Sequence, residues 1–201
     1  MAVACYIKNM SKVKARIIRF FVLGSLTLFA MGGYMFLAGP NGQPSQTSSS
    51  FGVAGMEIGG PFELVNHNGE TVTEEDYKDS YKLIYFGFTY CPAVCPTELQ
   101  KLSAALKNLG PEADNITPIF ITVDPERDTV DLVREYVTFF HPDMVGLTGS
   151  RDQIDKVIKS YKVYAARVED EEATDYTMDH SSYIYFMSPG GDLLKIFRTQ
   201  D

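Results

Sequence analysis

Residues 82–99 read KLIYFGFTYCPAVCPTEL, and the fold prediction starts from this stretch. Its first part, Lys82 to Phe88, is a nearly continuous aromatic and β-branched run, which is typical of a strand buried on both faces. Leucines then recur at helical spacing up to Leu109, where Gly110 and Pro111 stop them. The pattern therefore predicts a strand that leads through a short turn into a helix from about Pro96 to Leu109.

Strand and helix patterns alternate on both sides of this stretch. Upstream, Phe62–Val65 and Glu70–Thr73 flank an Asn68–Gly69 turn and predict a β-hairpin. Downstream, the predicted elements are a strand at 116–123, a helix at 131–140, a strand at 144–147, a helix opened by a Ser150–Gln153 capping box, a strand at 163–168 and a hairpin of 182–187 with 193–197. This order predicts an α/β, thioredoxin-like fold with a mixed central sheet flanked by helices and an N-terminal β-hairpin.

The segment before this domain has a different composition. Residues 1–19 carry a basic cluster, and residues 20–38 form an uncharged, largely apolar run that is long enough to cross a bilayer as one helix. The basic flank predicts a cytoplasmic N-terminus, a transmembrane anchor at 20–38, a flexible Gly/Pro/Ser linker at 39–55 and an exported domain at 56–201. A cleaved signal peptide is the alternative, and it also exports the domain.

Composition narrows the classes of function. The chain has 201 residues and 45% hydrophobic content, which suits one domain with its own core plus short extra segments. From residue 56 onward, 26 acidic residues against 13 basic ones give a net charge of about −13. Such a surface repels nucleic acid, so DNA and RNA are excluded as predicted partners.

Cys91 and Cys95 are separated by three residues and lie between the predicted strand and helix. Pro96 is tolerated at the first helical position, so both sulfurs are expected at or near a helix N-terminus, where the thiolate is favoured. A thiolate can attack a disulfide or bind a soft metal ion, while a structural disulfide or simple packing remain alternatives. Zinc is disfavoured because its closed sites need four ligands, whereas Cu(I) needs fewer and prefers sulfur.

The three histidines differ as candidates for a third ligand. His67 falls in the predicted hairpin turn, where exposure without function is expected, and His141 follows a predicted helix as a capping residue. His180 lies directly before a predicted strand. In a thioredoxin-like sheet, that loop faces the turn that carries the cysteines, so His180 is the candidate for a metal ligand.

Four segments in order and spacing resemble the Sco/SenC/PrrC family of copper-binding, thioredoxin-like cytochrome c oxidase assembly proteins. They are residues 87–99 (GFTYCPAVCPTEL), 123–129 (VDPERDT), 146–149 (GLTG) and 175–181 (DYTMDHS). The resemblance implies that Cys91, Cys95 and His180 bind copper, as Cu(I) or also Cu(II). When copper is absent, the same two thiolates can close as a disulfide. Asp179, next to His180, is a candidate for orienting the ring or tuning the site, and a solvated loop acid is the alternative for it.

The resemblance implies a membrane-anchored metallochaperone that takes copper from a donor protein and assists assembly of the CuA site in cytochrome c oxidase subunit II. The alternatives are a thiol-disulfide oxidoreductase that uses Cys91 and Cys95 as its redox pair, a redox-signalling member of the family, or a peroxidase of thioredoxin fold. A bacterial inner membrane with the domain in the periplasm is predicted, and the mitochondrial inner membrane facing the intermembrane space is the alternative. The family domain usually ends in a further helix that covers one sheet face, whereas this sequence stops four residues after Phe197. A fragment is predicted, and a sheet face left open is the alternative.

Overall fold

The computed structural model describes residues 57–169 and 176–198. The predictions for the basic N-terminus, the anchor at 20–38 and the linker at 39–55 lie outside these ranges. Within them, no helix has both the length and the apolar character that a membrane span requires. The boundary at residue 56 also lies outside them, so the division into segments stays a prediction.

The described residues contain a seven-stranded mixed sheet. Its strands are β1 (Glu63–Asn66), β2 (Thr71–Thr73), β3 (Tyr81–Gly87), β4 (Ile116–Thr122), β5 (Val145–Thr148), β8 (Tyr183–Met187) and β9 (Leu193–Arg198). They lie in the order β2-β1-β5-β4-β3-β8-β9, in which the central strands β3, β4 and β5 are parallel and β1 and β8 join them antiparallel. The predicted mixed sheet is confirmed.

Three α-helices accompany this sheet in the described part of the chain: α1 (Val94–Leu109), α2 (Val130–Phe140) and α3 (Arg151–Ser160). Short 3₁₀ helices occupy Glu74–Tyr77 and Gly110–Asn115. Helices cover both sheet faces, because Phe120 of β4 contacts Tyr136 of α2 at 5.3 Å between ring centroids. On the other face, Phe86 of β3 contacts Tyr161 after α3, also at 5.3 Å. The predicted capping box of Ser150 and Gln153 is confirmed.

The N-terminal hairpin forms as predicted, with Leu64 opposite Val72. Its turn rests on Asn66, whose side-chain oxygen accepts the backbone N–H groups of Asn68 and Glu70 at 2.9 and 3.0 Å. Gly69 adopts a φ of 85°, a conformation that an L side chain rarely accepts. The turn chemistry therefore agrees with the sequence pattern.

Helix α1 begins at Val94, so the prediction that Pro96 holds its first position is wrong. Pro96 is instead the third residue, and Cys95 lies inside the first helical turn. The reason is that the first four N–H groups of a helix lack intrahelical acceptors, so a proline is tolerated throughout that turn. Only Cys91 remains in the loop before the helix.

A second correction concerns His180, which was predicted in a loop. The structure places it at the end of strand β7 (Thr177–His180), which pairs antiparallel with β6 (Ala165–Val168) in a separate two-stranded sheet. Residues Ala165 and His180 lie directly opposite each other in this pair. The pairing of β7 with β6 therefore holds His180 in position at the end of β7.

Candidate metal centre

The two cysteines lie where β3 runs into α1. Cys91 is half-buried in the connecting loop, and its backbone N–H donates to the carbonyl of Phe88 at 3.3 Å. Cys95 is completely buried, and its backbone N–H donates to Sγ of Cys91 at 3.3 Å. Both are free thiols in this structure. The Cys91 sulfur thus lies at a helix N-terminus, where free N–H groups and the helix dipole stabilise a thiolate.

His180 approaches the cysteines from a distant part of the chain. Its Nε2 lies 3.4 Å from Sγ of Cys95, and its Nδ1 lies 3.0 Å from the carbonyl oxygen of Ser181. Because a carbonyl can only accept, the neutral ring carries its proton on Nδ1. The lone pair of Nε2 therefore points to the Cys95 sulfur, and it is this lone pair that a metal ion would take.

Aromatic side chains enclose the histidine ring. Tyr85 and Phe88 both meet it edge-on, with ring centroids 6.3 and 5.7 Å away. A Cβ at Gly87 would lie 3.1 Å from Sγ of Cys95 and 2.9 Å from the Tyr85 ring, so only glycine leaves room for the buried sulfur here. The hydroxyl of Tyr85 shares a hydrogen bond of 2.9 Å with Oγ of Ser182.

The two sulfurs differ in electrostatic character. Hydrogen bonding from the Cys95 side chain and from backbone N–H groups lowers the pKa of Cys91 to about 3. The same contact with Cys91 and its own burial raise the pKa of Cys95. The reduced site therefore holds one thiolate at the half-exposed Cys91 and one protonated thiol at the buried Cys95.

The donor set fits a soft metal ion in type and in spacing. Two atoms bound to one ion at ~2.0–2.3 Å lie roughly 3.1–3.8 Å apart, depending on the bond angle. The distance of 3.4 Å between Cys95 Sγ and His180 Nε2 falls in this range. In the described ranges, however, no group of three or more His, Cys, Asp or Glu side chains is already arranged as a metal site. The Cys95 sulfur contacts His180 Nε2, and the Cys91 sulfur accepts the backbone N–H of Cys95, so the three candidate ligands are adjacent without forming a coordination shell.

Two polar clusters hold the loops around this site. The buried carboxylate of Asp128 accepts the hydroxyls of Thr89 and Thr122, both at 2.6 Å, and so ties the loop before Cys91 to the end of β4. Burial raises the pKa of Asp128. These bonds fix the backbone from which Cys91 projects.

The second cluster centres on Arg127. Its Nε donates to buried Asp124 at 2.6 Å, and its Nη1 donates to the carbonyl of Tyr176 at 2.8 Å. The guanidinium also stacks on the rings of Tyr176 and Tyr90, at 3.7 and 4.9 Å from their centroids. Tyr176 directly precedes β7, whereas Tyr90 directly precedes Cys91. The arginine therefore connects the segment that carries His180 to the segment that carries the cysteines.

The other predicted residues lie elsewhere. His67 is half-buried rather than exposed: its Nδ1 accepts the N–H of Gly146 at 3.0 Å and joins the hairpin to β5. His141 is the C-cap of α2, as predicted. Asp179 is exposed, and the residue that contacts Nδ1 of His180 is Ser181. An orienting role for Asp179 stays a prediction.

Sequence reasoning missed several supporting residues. Arg127 lies within one of the four segments that carry the family resemblance. Its position in the sequence thus marked it as a candidate, although the sequence did not indicate which residues it contacts. Tyr176 lies within another. The Ser181 carbonyl gave no signal, because every residue has a backbone acceptor.

These features define a class of protein, namely a thioredoxin-like domain with a dithiol at the start of its first helix and an imidazole in contact with it. The sequence model of the SCO1/SenC family matches residues 53–201. The chain therefore belongs to the SCO1/SenC family, and the resemblance seen in the sequence is confirmed.

Three relatives illustrate the similarity. The chain is 47% identical over 141 residues to Protein SCO1 homolog 1, mitochondrial, of Arabidopsis thaliana; the match covers 70% of this chain and 42% of the relative. A structure of Bradyrhizobium japonicum ScoI with copper bound shares 45% identity at a TM-score of 0.67, over 72% of this chain and 91% of that one. BsSco, a Sco protein studied for a disulfide switch, shares 29% identity at a TM-score of 0.54, over 69% and 81%. The chain thus matches less than half the length of the Arabidopsis protein.

Proposed function

We propose that this chain is a copper carrier that holds one copper ion through Cys91, Cys95 and His180 and passes it to another protein. The observation that carries the proposal is the 3.4 Å contact between Cys95 Sγ and His180 Nε2, which joins side chains 85 residues apart in the sequence. The copper-bound Bradyrhizobium relative supports copper as the cargo.

The chemistry of the donors agrees with this cargo. Two thiolates suit Cu(I), and an imidazole, together with a nearby oxygen or water, also suits Cu(II). Copper binding must displace the proton of Cys95, whereas Cys91 is already a thiolate at neutral pH. Because Cys91 is half-buried, its sulfur is accessible to an acceptor, and release can proceed by ligand exchange from that side.

We further propose the partners and location. The acceptor is the CuA site of cytochrome c oxidase subunit II, and a separate donor protein supplies the copper. Support comes from BsSco, which belongs to the Sco family of cytochrome c oxidase assembly proteins. The anchor at 20–38 would hold the domain at a bacterial inner membrane facing the periplasm, or at the mitochondrial inner membrane facing the intermembrane space.

The test is a Cu(I) titration of the purified, reduced 201-residue chain in competition with a chelator of known affinity, with a parallel count of free thiols. The expected result is one copper per chain, protection of two thiols, and an affinity about 10-fold or more lower in His180→Ala. His141→Ala is the matched control, because His141 caps α2 away from the site. Equal copper affinity in His180→Ala and the parent would remove His180 from the ligand set.

A second candidate function is thiol-disulfide exchange, and the asymmetry of the two sulfurs favours it. The Cys91 thiolate attacks a substrate disulfide, forms a mixed disulfide and releases one substrate thiolate. Cys95 then gives up its proton to that thiolate and attacks the Cys91 sulfur. The products are a Cys91–Cys95 disulfide and a substrate dithiol, so two electrons pass to the substrate.

This second function has a separate test. Cys95→Ser is expected to trap a mixed disulfide with a model disulfide substrate, because the resolving thiol is absent. His180→Ala should retain most of the reductase rate, since the ring takes no part in electron transfer. A chain that binds copper but fails to reduce any disulfide, with no trapped species in Cys95→Ser, would leave only the carrier function.

A further inference from the structure

A cleft of about 270 Å³ opens at the end of the sheet where β3 begins. Lys82, the second residue of β3, lines it, whereas the cysteines follow the other end of this strand. Lys82 and Gly87 are five positions apart on an extended strand, a distance of roughly 17 Å at 3.3 Å per residue. The cleft is therefore distinct from the metal centre.

The lining of the cleft is mostly apolar. Ile84, Ile119 and Met187 form buried parts of its wall, and each is no more than 2% exposed. The aromatic rings of Phe62 and Tyr161 complete it. A surface of this kind favours an apolar or aromatic group.

Lys82 is the unusual residue in this wall. Lys82 is only 7% exposed, and its Nζ donates a hydrogen bond to the carbonyl oxygen of Pro189 at 3.0 Å. An ammonium group has three donors, and among the described residues no other hydrogen bond and no carboxylate partner is found for this one. Burial lowers the pKa of Lys82. A buried cation without a counter-ion is costly, so an anion at this position would be stabilising.

The rim limits which anion fits. Glu74 and Glu75 also line the cleft, and Glu74 is held in place because its Oε2 accepts the N–H of Phe62 at 2.7 Å. The two carboxylates at the mouth repel multiply charged anions, such as phosphate, sulfate and dicarboxylates, more strongly than they repel a singly charged anion. The cleft volume of about 270 Å³ suits a small ligand such as phenylacetate.

We propose that this cleft binds a small monocarboxylate with an apolar or aromatic body, whose carboxylate pairs with Lys82 while the body contacts Ile84, Ile119 and Met187. The site is independent of copper binding, and a failure here leaves the carrier function untouched.

The experiment titrates the ¹⁵N-labelled 201-residue chain with phenylacetate and follows the amide resonances by NMR. The expected result is saturable shifts at Lys82, Ile84 and Met187, with no shifts at Cys91 or Cys95. Phenylacetamide, the uncharged isostere, should bind at least ten-fold more weakly to the same protein. This comparison needs no variant, so it holds even where a substitution disturbs folding.

Variants then test the role of the ammonium group. Lys82→Met keeps the length of the side chain and should weaken phenylacetate binding at least ten-fold. Lys107→Met is the matched control, since Lys107 is exposed in the last turn of α1 and does not line the cleft, and it should leave binding unchanged. Three results would each overturn the proposal: absence of saturable binding, equal binding of phenylacetate and phenylacetamide, or shifts confined to the cysteine segment.

Discussion

The contact between Gly87 and the buried sulfur gives a prediction that the structure quantifies. In Gly87→Ala, the new Cβ would lie 2.9 Å from the Tyr85 ring, 3.1 Å from Sγ of Cys95 and 3.1 Å from the Phe120 ring. All three neighbours are completely buried, so none can move into solvent. Overpacking of this kind costs about 1–3 kcal/mol, and Cys95 must shift to relieve it.

Two measurements follow from this substitution. The free energy of unfolding, from urea denaturation of the reduced chain, should fall by about 2 kcal/mol, which lowers the midpoint by about 1 M at a typical slope. The Cu(I) affinity should fall about ten-fold or more, because the displaced sulfur is one of the proposed donors.

The control is Gly190→Ala, where the nearest atoms to the new Cβ are 3.7 Å away and no clash arises. We expect this variant to match the parent in both measurements. A Gly87→Ala protein with unchanged stability and unchanged copper affinity would show that packing around Gly87 does not set the position of Cys95.

Two further predictions concern the thiolate and the arginine cluster. Since the pKa of Cys91 is lowered to about 3, its thiol stays ionised at neutral pH, and the rate of its alkylation by iodoacetamide should change little between about pH 5 and 8. Peptide mapping by mass spectrometry measures this rate. A rate that falls ten-fold for each unit by which the pH decreases would contradict the prediction. Arg127→Ala leaves the carboxylate of Asp124 buried without its cation, and should lower the free energy of unfolding by about 3 kcal/mol and weaken copper binding. Arg134→Ala, which breaks an exposed pair on α2, is the control, and an equal loss in both variants would argue against the cluster.

Much of the fold could be predicted because its signals are local. The apolar run of β3 and the leucine spacing of α1 each reflect burial of the element, and the positions of apolar residues in the sequence indicate such burial directly. The start of α1 was misplaced because a proline is tolerated across a whole first turn and so marks a range of positions. Strand β7 was missed because it has four residues with Met178 as the single buried side chain, which is too short a pattern to be recognised.

The site could be predicted only in part, for a related reason. The spacing of Cys91 and Cys95 is local, whereas the contact of His180 with Cys95 spans most of the domain and was inferred from fold topology. The position of the proton on the His180 ring depends on the backbone carbonyl of Ser181. No side-chain pattern in the sequence predicts that contact. The cation that joins Tyr90 and Tyr176 likewise depends on three loops that meet only in the folded chain.

We propose that Cys91, Cys95 and His180 bind one copper ion together. X-ray absorption at the copper edge of the Cu(I)-loaded, 201-residue chain can identify the donors, because sulfur and nitrogen neighbours scatter differently. We expect two sulfur donors and one nitrogen donor in the parent, and loss of the nitrogen contribution in His180→Ala. A sulfur-only shell in the parent, or a nitrogen contribution that persists in His180→Ala, would contradict it.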